Sequence, residues 1–197
     1  MKIIFIRHGQ TTGDVEDRYG GMYDDALSPL GEHQAQQLAG ELANKGISHI
    51  YASPLLRAQQ TAQVLAARVG CSSISTVEDL KERNQYGVLS GMVKAEAKLQ
   101  YPEWTAQLHD RLFTVPEAET YAAASARTQA AVADMITKNH PCTAVVWHGG
   151  GMRILFRDIL QWGELTDVGD CAWVELERKS TQMPWKISAS QRMGFAF

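Results

Sequence analysis

The chain of 197 residues lacks a surplus of positive charge, a cysteine framework and any long apolar run. Lysine and arginine number 19 against 22 acidic residues, a formal net charge of -3, which excludes a general nucleic-acid-binding surface and leaves room only for a local anion site. Cys71, Cys142 and Cys171 are an odd set without metal-ligand spacing. They exclude a disulfide scaffold and fit structural thiols in a reducing compartment. No apolar stretch approaches the roughly 20 residues that span a bilayer. The opening MKIIFIRHGQ is interrupted by Arg7 too early for a signal peptide. A cytoplasmic protein without membrane or nucleic-acid partners is expected. Internal repeats and low-complexity tracts are absent too. With 45% hydrophobic residues the chain can bury a good core, and residues 1–197 are expected to form one domain.

What is present is a short apolar run, Ile3-Ile4-Phe5-Ile6, that delivers Arg7, His8 and Gly9 to the point where it ends. Chemistry in α/β proteins sits at such strand tips. The tripeptide alone would arise by chance in about two per cent of chains of this length at average residue usage, so its context has to decide. A second strand-like run, Thr143 to Trp147, ends in His148-Gly149-Gly150-Gly151 and leads into the apolar-periodic stretch Met152 to Leu160. Glycine at both places lets backbone N–H groups approach an anion, and His148 precedes a helix start that favours phosphate.

Between these tips the pattern alternates. Thr12 to Leu27 is polar and Gly/Asp-rich and reads as a long functional loop. Ser28-Pro29 opens a helix with Ala35, Leu38, Ala39 and Leu42 on one face, ending at Gly46. Ile47 to Ala52 is a second strand, followed by the cap-like pair Ser53-Pro54 and a helix carrying Leu55, Ala58, Ala62 and Leu65 to about Gly70. Ile74 to Val77 is a third strand. From Leu80 to Thr120 periodicity weakens, with a short helix near Val93 to Gln100 and a break at Pro102, so about 80–120 is the expected lid or insertion. A helix returns from about Ala118 to Lys138, and Cys171 to Glu177 with Trp185 to Ser188 form a closing strand pair. This alternation predicts an α/β fold, a three-layer αβα sandwich around a mostly parallel sheet.

The residue types at the tips suit phosphoryl transfer, in which an imidazole is the nucleophile and arginine forks hold the phosphoryl oxygens. Arg7 adjoins His8, Arg57 lies on the first turn after the second strand, and His148 supplies a further donor. Glu82, in Leu80-Lys81-Glu82-Arg83, is the carboxyl best placed to protonate a leaving oxygen. These motifs resemble those of the histidine phosphatase superfamily, which includes the phosphoglycerate mutases. Arg7-His8-Gly9-Gln10-Thr11 is similar to the family signature, Asp25 to Gly31 to the start of the first helix, Ala52 to Ala58 to the segment bearing the second arginine, Leu80 to Gly87 to the general-acid segment, and His148-Gly149 to the second histidine motif. The resemblance covers Ile3 to about Leu160. It implies a phosphoglycerate mutase-like fold, His8 as the phosphorylated nucleophile, a phosphate pocket of Arg7, Arg57 and His148, and no metal or other cofactor. Candidate substrate contacts beyond these are Asp14, Arg18, Gly20, Gly21, Arg83, Tyr86 and Gly149.

Three departures shape the expected function. Asp14 stands where many members have asparagine; its carboxylate repels a phosphate dianion unless it turns away, is protonated or pairs with Arg18. The Asn84-Gln85-Tyr86 spacing carries one residue more than the mutase pattern, which bears on Tyr86 and Lys94. No tandem arginine pair follows Lys94, and only 65 residues separate Glu82 from His148, so a phosphatase is favoured over a mutase. The expected activity is a metal-independent phosphomonoesterase acting on a small phosphorylated metabolite, with two alternatives, a mutase-type phosphotransferase and a catalytically silent phosphate-binding module. Oligomeric state is left open, a homodimer included. His33, His49, His109 and His140 read as surface residues, Glu78, Asp79 and Glu82 also fit a solvated acidic loop, and Trp104, Trp162, Trp173 and Trp185 read as packing.

Overall fold

The computed structural model describes residues 1–180 and 182–196. Its centre is a six-stranded sheet in the order β3-β2-β4-β1-β5-β6. The strands are β1 (Lys2–Arg7), β2 (His49–Ala52), β3 (Ile74–Thr76), β4 (Cys142–Trp147), β5 (Glu164–Glu177) and β6 (Lys186–Ala196). The first four run parallel, whereas β5 and β6 are antiparallel, so the sheet is mixed. The closing pair is longer than its apolar stretches suggest, because polar Glu164 to Asp170 and Ser188 to Ala196 join the ladder through register shifts.

Alternation along the strands sorts side chains to two faces. Ile4, Ile6, Ile50, Ala144 and Val146 pack under α2 (Pro29–Leu42) and α3 (Leu56–Val69). Ile3, Phe5, Val145 and Trp147 pack on the other face with Ala131, Val132 and Met135 of α6 (Tyr121–Thr137) and Met152 of α7 (Gly149–Ile154). The result is the three-layer α/β arrangement. Ser28 caps α2 as its sequence predicts, its hydroxyl accepting the Gly31 N–H at 3.0 Å, with Pro29 in the first turn.

The loop after β1 contains a short helix, α1 (Thr12–Val15). It also lies directly on α2: a Cβ on Gly9 would sit 2.6 Å from the Gly31 carbonyl oxygen, and one on Gly31 only 1.9 Å from that of Gln10. Only glycine permits this approach. The 80–120 segment holds one 3₁₀ turn (Gly87–Leu89), α4 (Lys94–Gln100) and α5 (Pro102–Thr105) around its own small core of Leu89, Ala97 and Val115. That core includes Tyr19, and backbone hydrogen bonds between Tyr19 and both Gly91 and Met92 tie the segment to the first loop.

Candidate active site

Strand register sets the site. Arg7 pairs with Trp147 across β1 and β4, and Ala52 with Val146 across β2 and β4, so His8, His148 and Ser53 leave three neighbouring parallel strands at one level. The two imidazole rings lie edge to face, 5.1 Å between centroids.

His8 is 6% exposed. Its Nδ1 lies 2.7 Å from the Gly9 carbonyl oxygen, which can only accept, so Nδ1 carries the proton. Nε2 is then a lone pair, and it accepts from Arg57 Nε at 3.2 Å. Burial, reinforced by the Arg57 and Arg7 cations, holds its pKa well below the ordinary 6.5. The lowered pKa favours a neutral imidazole, and its lone-pair nitrogen is turned to a guanidinium.

His148 is fully buried behind His8 rather than on the cavity wall. Its Nε2 is 2.7 Å from Ser53 Oγ. Ser53 Oγ accepts the Leu55 N–H at 3.3 Å and still has its own proton to donate to Nε2, an arrangement that puts the imidazole proton on Nδ1. Nδ1 has no hydrogen-bond partner. Burial first, then Arg57 and His8, push this pKa well below 6.5 as well. Ser53, expected to cap α3, therefore serves the histidine instead; the helix begins at Leu56 with no side-chain cap.

Both arginines reach this centre with their forks partly engaged. Arg57, 3% exposed, gives Nη1 to Tyr23 O and Asp25 Oδ1 at 2.7 and 3.0 Å and Nη2 to Gly21 O at 3.0 Å. It is thus no solvated helix arginine, and it fastens the 12–27 loop over His8. Arg7 donates to Val168 O at 2.7 Å and pairs with Asp170 at 3.3 Å.

Glu82 lies on the cavity wall. Its Oε2 accepts the Gly150 N–H at 3.1 Å and its Oε1 the Arg83 N–H at 2.8 Å. Gly150 has to lack a side chain, because a Cβ would lie 2.4 Å from Glu82 Oε1. Arg127 of α6 holds the strip leading to Glu82, donating to Asp79 O at 2.7 Å, Lys81 O at 2.9 Å and Glu82 O at 3.3 Å while Glu119 anchors it. The backbone of the acidic strip is thus held in place, while the Glu78 and Asp79 side chains are exposed, as a solvated loop would have them.

Asp14 neither pairs with Arg18 nor is buried against the histidines. Its Oδ2 accepts from Thr11 N and Thr11 Oγ1, both at 2.9 Å, closing a capping box for α1. Arg18 instead pairs with Glu16 at 2.5 Å and donates to Gly91 O at 2.7 Å. Asp14, Arg18, Gly20, Gly21, Arg83, Tyr86 and Gly149 all line one cavity of about 410 Å³ with Arg7, His8, Arg57 and Glu82.

A sequence profile of the histidine phosphatase superfamily (branch 1) matches residues 3–187. The chain belongs to the histidine phosphatase superfamily. It is 31% identical over 163 residues to "Probable phosphoglycerate mutase GpmB" of Proteus mirabilis, covering 81% of this chain and 75% of that protein. With "Phosphoglycerate mutase-like protein 4" of Arabidopsis thaliana it shares 40% identity over 103 residues, 52% of this chain and 44% of that one, so the match spans under half of the plant relative. Among solved structures, a mycobacterial glucosyl-3-phosphoglycerate phosphatase is similar at a TM-score of 0.80 and 26% identity, covering 95% of this chain and 96% of that one. The alpha-ribazole phosphatase from Shigella flexneri has the same fold, at a TM-score of 0.83 with 21% identity over the whole of both chains.

Several residues of this histidine phosphatase site gave no sequence signal. Asp25 pairs with the Arg57 guanidinium and accepts the Gly13 N–H, Arg127 holds backbone carbonyls more than 40 residues away, and Arg111, Tyr121, Arg153 and Arg157 line the cavity from helices and loops that carry no motif. His49, expected at the surface, is 9% exposed and stacks on His140 at 4.3 Å between centroids, because every residue of β2 is buried. Among the described residues no group of three His, Cys, Asp or Glu side chains is placed to hold a metal ion, and no helix is long and apolar enough to cross a membrane.

Proposed function

We propose that the chain is a metal-independent phosphomonoesterase that hydrolyses a small phosphorylated metabolite through a phosphohistidine. The observation that carries this reading is the state of His8: a buried, neutral imidazole whose Nδ1–H is committed to Gly9 O and whose Nε2 lone pair faces the cavity cations. Nε2 attacks phosphorus in line, the N–P bond forms as the P–O ester bond breaks, and Glu82 delivers a proton to the departing alkoxide. Water then attacks the phosphohistidine, Glu82 takes its proton, and the N–P bond breaks to regenerate the imidazole. Arg7 and Arg57 hold the phosphoryl oxygens through both steps, Arg57 Nε exchanging His8 Nε2 for an oxygen, while His148 Nδ1–H is the buried donor behind the transferring group.

The mutase reading differs only in the acceptor: the phosphoryl group returns to a bound phospho-acid instead of to water. The mutase-named relatives favour it, while the missing tandem arginines and the phosphatase name of the mycobacterial neighbour favour hydrolysis. A panel of phosphomonoesters incubated with EDTA present tests both. Phosphate release at an EDTA-insensitive rate is expected. Transfer to a second ester without release supports the mutase, neither supports a silent binding module, and a rate that needs added zinc or magnesium refutes the mechanism.

A further inference from the structure

The cations that reach the phosphoryl end of the cavity come already paired with carboxylates. Arg57 holds Asp25 at 3.0 Å, and Arg7 holds Asp170 at 3.3 Å. On the cavity wall formed by the first loop and the start of α4 the same is true, Arg18 being paired with Glu16 at 2.5 Å and Lys94 with Asp17 at 2.6 Å. His8 and His148 add no charge near neutral pH, because burial and the neighbouring guanidiniums hold both below the ordinary imidazole pKa. Arg83 and Arg111, which have no carboxylate partner among the described residues, gather on the Tyr121 ring, and Arg153 donates to Leu165 O.

Asp14 tips this balance at the phosphoryl end to negative. It is an exposed carboxylate on the cavity wall, and no cation pairs with it among the described residues. Thr11 N and Thr11 Oγ1 both donate to its Oδ2. Thr11 Oγ1 in turn accepts the Asp14 N–H at 3.0 Å, so the side chain is fixed from both sides. Oδ1 receives no hydrogen bond from the described residues. Its chain neighbour Gly13 sits against the phosphoryl machinery: the Gly13 N–H donates to Asp25 Oδ2 at 3.0 Å, Asp25 Oδ1 accepts from Arg57, and Arg57 Nε reaches His8 Nε2. The free acceptor therefore stands at the edge of the phosphate pocket, where a donor satisfies it and an anion does not.

We propose, on the phosphomonoesterase reading, that Asp14 makes the site select a phosphoryl group that carries a proton: the monoester binds as its monoanion, its P–O–H donating to Asp14 Oδ1. Two guanidinium–carboxylate pairs and two neutral imidazoles offer hydrogen bonds without surplus positive charge, and a carboxylate beside them repels a second negative charge. The same carboxylate accepts from a protonated oxygen, and a hydrogen bond with an ionised acceptor is of the stronger kind. A phosphomonoester in water loses this proton at about pH 6, so Asp14 acts by retaining it. The proton stays on its oxygen through transfer and hydrolysis and leaves with the phosphate, so the bonds made and broken at His8 and the proton passed by Glu82 are unchanged. An asparagine at this position would turn an amide N–H to the cavity and serve a dianion.

Calorimetric binding of inorganic phosphate and of sulfate to the intact protein tests this without turnover, since phosphate brings a proton and sulfate is a bare dianion of the same shape. At a pH below the second ionisation of phosphate the wild-type protein is expected to prefer phosphate roughly 10- to 100-fold, the range for a hydrogen bond to a charged group. Asp14→Asn keeps an oxygen for the Thr11 donors and should bring that ratio close to unity, chiefly by tightening sulfate. Raising the pH through the second ionisation should weaken phosphate binding to the wild type by up to about tenfold per pH unit and spare Asp14→Asn. Equal affinity of the wild type for the two anions, a preference that Asp14→Asn retains, or wild-type binding that tightens as phosphate becomes a dianion overturns the role of Asp14 alone. A preference kept in Asp14→Asn and lost in Glu82→Gln assigns the acceptor to Glu82 and overturns it too. Binding of neither anion to the wild type overturns this role and the phosphomonoesterase reading together.

Discussion

Replacing Ser53 by alanine removes one oxygen that touches neither cavity nor solvent, and the structure assigns it a double consequence. Ser53 is fully buried, as is His148, and their 2.7 Å hydrogen bond is the imidazole's single polar contact among the described residues. Without it both ring nitrogens are buried and unpaired, which should cost about 1–3 kcal/mol of stability. The serine donation that favours the Nδ1–H tautomer is lost too, so the proton proposed to face the phosphoryl group is no longer held on Nδ1. Removing a positioned oxyanion donor outright costs roughly 10²- to 10³-fold in kcat. Loss of its orientation alone should cost less, roughly 10- to 10²-fold, with a smaller change in KM. Ser53→Thr keeps the hydroxyl and should recover most of kcat. Denaturant unfolding, steady-state kinetics on the best ester of the panel and ¹⁵N imidazole shifts read the three effects separately. Unchanged kcat in Ser53→Ala with the His148 proton still on Nδ1 would refute the reasoning.

Glu82→Gln should slow esters of poor leaving groups by roughly 10²- to 10⁴-fold while sparing activated aryl phosphates; equal losses on both would assign the proton to another group. Both buried histidines also make stability depend on pH. Their folded pKa values lie below the ordinary 6.5, so the unfolded chain binds protons there that the folded chain refuses. The stability they contribute is complete above pH 6.5 and falls as pH drops toward their folded values, at about 1.4 kcal/mol per pH unit for each. Denaturant unfolding across that window should show His148→Gln with a slope shallower by one such increment, and an identical slope would contradict its buried, neutral state.

The two histidine tips were legible because each combines a local apolar run with a glycine that lets the chain turn against a helix, and Ser28-Pro29 was legible because a capped helix start is written in adjacent residues. Long-range partners were not. Ser53-Pro54 has the local form of a cap, yet its hydroxyl binds a histidine 95 residues away. Arg127, Arg153 and Arg157 look like solvated helix arginines until the fold brings α6 and α7 against the acid segment. Polar Glu164 to Asp170 carries no strand pattern, and its pairing with β6 and the Arg7 bond to Val168 are fixed by the assembled sheet. Asp14 shows the same limit: charge counting sets it against phosphate or with Arg18, whereas the nearest donors are those of Thr11, three residues back.

The central claim is that His8 Nε2 carries the phosphoryl group. Rapid quenching in base during turnover of the best ester, followed by peptide mass spectrometry, measures it directly. A phosphoryl adduct on His8 that survives base and is lost in acid, appears before free phosphate and is absent from His8→Ala is the predicted result. Full turnover by His8→Ala, or phosphate release from the wild-type protein with no adduct forming on His8, would contradict the account.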